Sequence, residues 1–317
     1  MAEIVIVLTS VDGERFTVEN LLSMEWSKDV NAPCDSLSFS AVFEKSLPVI
    51  DKAELFLNGK KAFNGFVDTQ RETDSEAEFK TYFYARSSAC LLIDNEAHPL
   101  TCTKPCTASL FKMNAEQFGF KNKLLNLYSD FDYIVSKGVS CYGAINNFVF
   151  AQTGKNILIN PENELYIPDN KVVKNVYKSD ILSSRRLINR GGAVSQIDYK
   201  TENDLSYKRH VKSVYLEQQG IKRARKVNVS ALPAWQRDYT LSKAIRTSVQ
   251  DYISLEYVIS GVVELELCDG LSIDSNQSGL EDFQVSSITV SLNSKGEKTR
   301  ITLNKIIDLK EIAYVAE

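Results

Sequence analysis

A period of two runs through the first hundred residues of this chain. Leu37, Phe39, Ala41 and Phe43 alternate with Ser36, Ser38 and Ser40, so one face of a half-buried strand is apolar and the other polar. Residues 3–9 form a continuous apolar strand. Residues 54–57 run into Asn58-Gly59, a dipeptide suited to the two positive φ values of a tight hairpin turn, and residues 62–67 return. A further strand is expected over 79–85, with Phe79, Thr81 and Phe83 opposite Lys80, Tyr82 and Tyr84, and an exposed hairpin tip over 71–78. Short apolar-faced strands joined by tight turns predict a small antiparallel sheet that closes into a barrel.

The pattern changes after about residue 87. Thr107 is placed to cap a short helix through Gln117 that stops at Gly119, and Ser140 to cap a helix ending near Thr153, with Gly154 as its left-handed terminator. Strands are expected over 131–135, 156–159 and 164–167. Further on, 194–199 alternates as a strand, and Leu241, Ile245, Val249, Tyr252 and Ile253 recur at helical spacing. Strands over 262–267, 283–292 and 299–306, with turns at Asp269-Gly270 and around Ser294 and Gly296, then predict a second antiparallel sheet. The expected fold is a β-rich α+β architecture with two small antiparallel barrel-like domains, an inserted α/β domain and a long amphipathic helix. The boundaries read as 1–95 for the first barrel-like domain, 96–170 for the insertion, and 171–317 for the second barrel-like domain with its helix at 239–260.

The 317 residues suffice for two or three domains, and 44% hydrophobic with 25% charged residues is the usage of a soluble globular protein. The apolar run 4–8 is followed by Asp12, Glu14 and Arg15, too short for a secretory or membrane-spanning core. Neither export by signal peptide nor membrane insertion is expected. Six scattered cysteines imply a reducing compartment during synthesis.

With only two histidines, acid–base and metal chemistry are poorly supplied. His98, Cys102 and Cys106 stand four apart, the spacing of three ligands on a helix face. Pro99 and Pro105 break such a helix, and no fourth ligand is near. Asp130 with Asp132, and Glu162 with Glu164, are carboxylate pairs of the kind glycoside hydrolysis uses, but they fall at polar strand edges where acids are ordinarily solvated. No Gly-Xaa-Ser-Xaa-Gly elbow frames a nucleophile, and Gly191-Gly192 lacks the Lys-Ser/Thr of a phosphate loop. No catalytic residue, metal or cofactor is expected.

Charge is distributed unevenly. Residues 1–100 carry 9 basic and 17 acidic side chains, net -8, whereas residues 171–230 carry 14 and 5, net +9. The basic stretch 208–226 raises nucleic acid, yet its interleaved aromatics are only Tyr207 and Tyr215, and no recognition motif accompanies them. No specific nucleic acid is expected. Opposite-signed segments in one chain point instead to contact between segments or between copies.

The order of elements resembles one family. ELFLNGKKAFNG at 54–65 continues into Phe66-Val67-Asp68, and Tyr84-Ala85-Arg86-Ser87 leads to Leu92-Ile93-Asp94. This is similar to the tail hub family of contractile phages and phage-tail-like bacteriocins, which includes the late control D proteins and the tail hub of phage Mu. Its pattern is a strand pair with a G-F-V-D-like return, an aromatic strand ending in A/G-R-S and a short helix with L-x-D. The basic strand region, long helix and terminal hairpin follow in the same order.

The resemblance implies a structural homotrimer, not an enzyme. Two related barrel-like domains per subunit would offer a pseudo-sixfold ring to a hexameric tail tube protein, while the other end holds a trimeric spike protein among baseplate wedge proteins. It implies synthesis in a bacterial cytoplasm and assembly into a phage or bacteriocin particle, with wall-degrading activity on another chain. Arg185, Arg186, Arg190, Arg223, Arg225 and Lys226 are the expected interface residues, facing acidic surface of the same or an adjacent subunit. The alternative is a cell-wall-targeted hydrolase or binding protein associated with a tail, its site in the insertion.

Overall fold

In the computed structural model, which describes residues 2–75, 78–168, 172–306 and 312–316, the chain divides into two units. The first holds residues 1–170, 258–268 and 286–301, and the second 171–257, 269–285 and 302–317.

The first unit begins with strands β1 (Ile4–Ser10), β2 (Arg15–Thr17), β3 (Asn20–Asp29), β4 (Ala32–Phe43), β5 (Ile50–Leu57), β6 (Lys60–Ser75) and β7 (Glu78–Ser87). The alternation has its expected consequence: Leu37, Phe39 and Ala41 of β4 are buried beside Thr81, Phe83 and Ala85 of β7, and Phe39 stacks on Phe83 with ring centroids 4.8 Å apart. Asn58 and Gly59, at φ 51° and 75°, turn β5 into β6. The β6–β7 ladder stays paired out to Ser75 and Glu78, and residues 76–77 of the expected tip lie outside the described residues. Gly65 sits opposite Ser87 with its backbone so near the Arg86 carbonyl that a Cβ would overlap it.

There follow α1 (Cys90–Asp94), β8 (Leu100–Cys102), α2 (Thr107–Asn114), β9 (Lys121–Asn122), β10 (Tyr133–Val135), α3 (Cys141–Thr153), β11 (Leu158–Ile159) and β12 (Glu164–Tyr166). The caps of α3 are as expected, with Ser140 Oγ accepting from the Gly143 amide and Gly154 at φ 69°. Helix α2 differs: Thr107 is its first residue, and the extended Cys106 caps it. The Thr107 hydroxyl is engaged elsewhere, accepting from the Leu127 amide at 3.2 Å. The helix ends at Asn114, and a 3-10 turn carries the chain to Gly119 at φ 80°.

The second unit introduces β13 (Val173–Val176), β14 (Ile181–Ile188), β15 (Gln196–Lys200), β16 (Arg209–Ser213), α4 (Val214–Gln218), β17 (Ala224–Asn228) and α5 (Ala234–Tyr252), after which come β18 (Ile253–Ser260), β19 (Gly270–Ile273), β20 (Phe283–Asn293), β21 (Gly296–Lys305) and β22 (Ile312–Ala316). The apolar stripe of α5 does face a core: Leu241 and Ile245 pack against Ile197, Val211 and Val229. Beneath it the strand order is β17-β15-β16-β22, with β15 antiparallel to β16 and parallel to β17. The helix begins after Pro233 and stops at Tyr252, eight residues short of the expected 260. From Ile253 the run Ile-Ser-Leu-Glu-Tyr-Val-Ile is rich in β-branched and aromatic side chains, which favour a pleated strand.

Two further expectations change. Residues 262–267 form no strand; Glu264 and Glu266 instead pair with Lys60 and Lys28 at 2.8 and 2.7 Å. Residues 287–292 of β20 pair antiparallel with β3, so the strand order runs β21-β20-β3-β4-β7-β6-β5-β1-β2 and the late hairpin of β20 and β21 does not stand as a separate sheet. Replacing Gly65 by alanine should force β6 and β7 apart and cost about 1–3 kcal/mol, read as a lower urea midpoint.

Candidate interface

The residues that carry the family resemblance converge on one ionic knot. The Arg86 guanidinium on β7 donates from Nε to Asp68 Oδ2 at 2.5 Å and from Nη2 to Asp68 Oδ1 at 3.3 Å. On its other side Nη1 and Nη2 reach Asp94 Oδ1 and Oδ2 at 3.0 and 2.8 Å. The Arg86 hydrogen bonds hold the Asp94 carboxyl below its usual range. Planar bidentate pairing fixes direction as well as distance, so the knot sets how α1 leaves the sheet. Asn64, beside Gly65, accepts from the Ser88 amide at 3.0 Å. The motif is therefore structural: a close backbone crossing locked by one arginine and two carboxylates.

The six basic residues lie in the second unit but do different things. Arg185 on β14 pairs with Glu256 at 3.2 Å. Arg186, its neighbour, is exposed. Arg190 donates to the carbonyls of Gln219 and Gly220 at 2.9 and 3.2 Å, while Arg223 Nη1 donates to the carbonyls of Arg190 and Ala193 at 3.1 Å and to that of Gly191. Arg190, Lys222 and Arg223 line an open cavity of about 450 Å³. Arg225 and Lys226 stand on β17 opposite Ile197 and Asp198. Lys226 and Lys200 approach the Tyr207 ring at 5.8 and 5.5 Å. Next to them His210 Nδ1 lies 2.8 Å from Asp198 Oδ1, which also accepts from Gln196 at 2.6 Å. Burial opposes ionisation of Asp198, but those two bonds and the nearby Lys226 keep it below its ordinary range.

His98, Cys102 and Cys106 share no helix face: His98 is exposed before β8, Cys102 is buried in β8 and Cys106 caps α2. First-turn hydrogen bonds, led by the Ser109 amide, lower the Cys106 thiol. Among the described residues no three of His, Cys, Asp and Glu gather as a metal site would require. Asp130, Asp132 and Glu162 are exposed, and Glu164 accepts from Asn160 at 2.9 Å.

Two features escaped the sequence reading. Strand β14 is exposed along seven of its eight residues, including Leu182, Leu187 and Ile188. In the first unit, burial pushes the Asp35 carboxyl up to about 7, against the opposing pull of Lys28. Lys28 lies 5.2 Å from the Trp26 ring centroid and pairs with Glu266. Asp35 stands two residues before Leu37, in phase with the buried face of β4, so the alternation itself carried the signal of its enclosure.

No family model and no curated protein matches the sequence. Solved structures do match the fold. A tail protein from Neisseria meningitidis MC58 superposes with a TM-score of 0.75 at 15% identity, covering 95% of this chain and 96% of its own. The 43 kDa tail protein of prophage MuSo2 from Shewanella oneidensis gives 0.78 at 13% identity, with 95% and 98% covered. An E. coli type VI secretion system component, itself structurally similar to two tail proteins of bacteriophage T4, gives 0.57 at 8% identity over 97% and 77%. The chain thus has the fold of phage tail proteins, in line with the family it resembles.

Two outcomes follow from this geometry. A carboxyl whose folded value exceeds its unfolded one, here 3.8, takes up its proton more readily in the folded state. Its ionisation as pH rises from about 4 to 7 therefore weakens the fold. Comparing urea midpoints at pH 5 and pH 8, Asp35→Asn should remove a loss of stability at the higher pH that the wild type shows relative to it. Separately, Arg223→Ala should cost about 0.5–1.5 kcal/mol by removing its hydrogen bonds to three backbone carbonyls, whereas Lys222→Ala should leave the melting temperature nearly unchanged.

Proposed function

We propose that the protein is a structural baseplate hub of a contractile tail or phage-tail-like bacteriocin. It acts as a homotrimer that adapts a hexameric tail tube protein to a trimeric spike protein, held among baseplate wedge proteins. In this reading residues 1–95 supply one barrel-like domain and 171–317, apart from the segments 258–268 and 286–301 that group with the first unit, supply a second; their threefold repetition offers six similar footprints, and 96–170 is an insertion between them. The work is mechanical, without catalysis or cofactor, and the chain is made in a bacterial cytoplasm before assembly into the particle.

The observation that carries this reading is the end-to-end match with solved tail proteins, in which hardly any of either chain is left over. A site grafted on a shared fold would need its own constellation of residues. Here the residues carrying the resemblance form a scaffold knot, and the described carboxylate pairs are exposed or spent on local hydrogen bonds. Among the described residues no helix is long and apolar enough to cross a membrane.

Light scattering of the purified protein should give three times the chain mass, and electron microscopy of the protein mixed with its tube protein should show threefold rings seated on tube ends. A monomer that clears purified cell wall in a turbidity assay would replace the hub with the wall-hydrolase alternative.

A further inference from the structure

The two units each expose an apolar patch, and the patches carry opposite charge. In the second unit Leu182, Leu187 and Ile188 of β14 are 55%, 46% and 45% exposed. Among the described residues that strand has one strand neighbour, β18, so its outer edge offers backbone groups with no strand partner there. Its charge is wholly basic: Arg186 is exposed and makes no ion pair among the described residues, and the chain continues directly into Arg190 and the cavity it shares with Lys222 and Arg223. In the first unit the loop between β9 and β10 exposes Leu125, Tyr128 and Phe131 by 65%, 71% and 65%. Between residues 124 and 135 the only charged side chains are Asp130 and Asp132, both exposed.

Exposed aliphatic edge strands invite pairing and aggregation, and apolar patches with polar rims mark contacts. Each of these patches supplies what the other lacks: large apolar side chains on both, cations beside one and carboxylates beside the other. We infer that the β14 edge with Arg186 of one copy receives the Leu125–Tyr128–Phe131 loop with Asp130 of a second copy of this chain. A copy brings both halves in equal number, and both are uncovered in the single chain. The contact joins unlike surfaces, so each copy has one of each to offer and repetition builds a ring or an open array rather than a two-fold pair. Charge complementarity sets register and rate, while the apolar side chains supply affinity. The inference rests on the homo-oligomeric part of the reading above and assigns its surface.

The test uses the full chain and two variants. The strand variant carries Arg186→Glu with Ile188→Asp; the loop variant carries Asp130→Lys with Phe131→Lys. All four positions are exposed, and circular dichroism melts check folding. By light scattering each variant alone should be monomeric at concentrations about tenfold above the point where the wild type half-assembles. Mixed one to one, the intact loop of the strand variant meets the intact edge of the loop variant, so a species of two chains should form and nothing larger. Leu205→Asp, which alters a fully exposed leucine outside both patches, should keep the wild-type assembly.

Either variant assembling like the wild type, a mixture that stays monomeric, or dissociation by Leu205→Asp equally would overturn this surface while leaving an oligomeric hub intact. A wild type monomeric at every concentration would overturn the surface and the homotrimer together.

Discussion

One close approach governs the first unit. Where β6 passes β7, Gly65 brings the backbone against the Arg86 carbonyl, and the guanidinium of the same arginine grips Asp68 on one side and Asp94 on the other. Neither half works alone. With a Cβ at position 65 the strands could not approach, and without the paired carboxylates a cation at this crossing would have no directed partners. Because Asp94 closes α1, the departure of the chain from the sheet toward the helical segment is set by the same knot.

Charge in this protein serves several ends that composition cannot separate. The basic excess of residues 171–230 reads as a single surface, yet Arg223, though exposed, is tied to three backbone carbonyls and Arg185 is matched by Glu256. What is left is narrower and more informative, a basic rim along an exposed aliphatic strand. In the first unit, Lys28 is nearly enclosed, pairing with Glu266 while Asp35 is driven toward its neutral form. Surface ion pairs contribute little by themselves. Enclosed ones act through the cost of leaving any member unmatched.

Much of the molecule is readable from local chemistry. Asn58-Gly59, the Ser40-to-Leu37 alternation, the Ser140 and Gly154 caps and the Leu241–Ile245–Val249 stripe each act within a few residues, and each is where the pattern puts it. The errors also have local causes. Thr107 failed as a cap because Leu127, twenty residues on, claimed its hydroxyl, and the α5 stripe was carried past Tyr252 because Ile253 suits either a helix face or a strand. The family motif was visible as letters, but that Gly65, Asp68, Arg86 and Asp94 meet at one point was not.

Strand identity, turns, helix faces and the absence of a framed nucleophile follow from residue order, since they depend on neighbours along the chain and on the two periods of backbone geometry. Which strands lie side by side does not. That β20 pairs with β3 across some 260 positions, that β13 pairs in parallel with β19, and that β14 is left at an edge with its leucines in water were settled by tertiary packing. Such pairings are chosen by competition among many apolar faces for burial, a property of the whole chain that no local segment encodes.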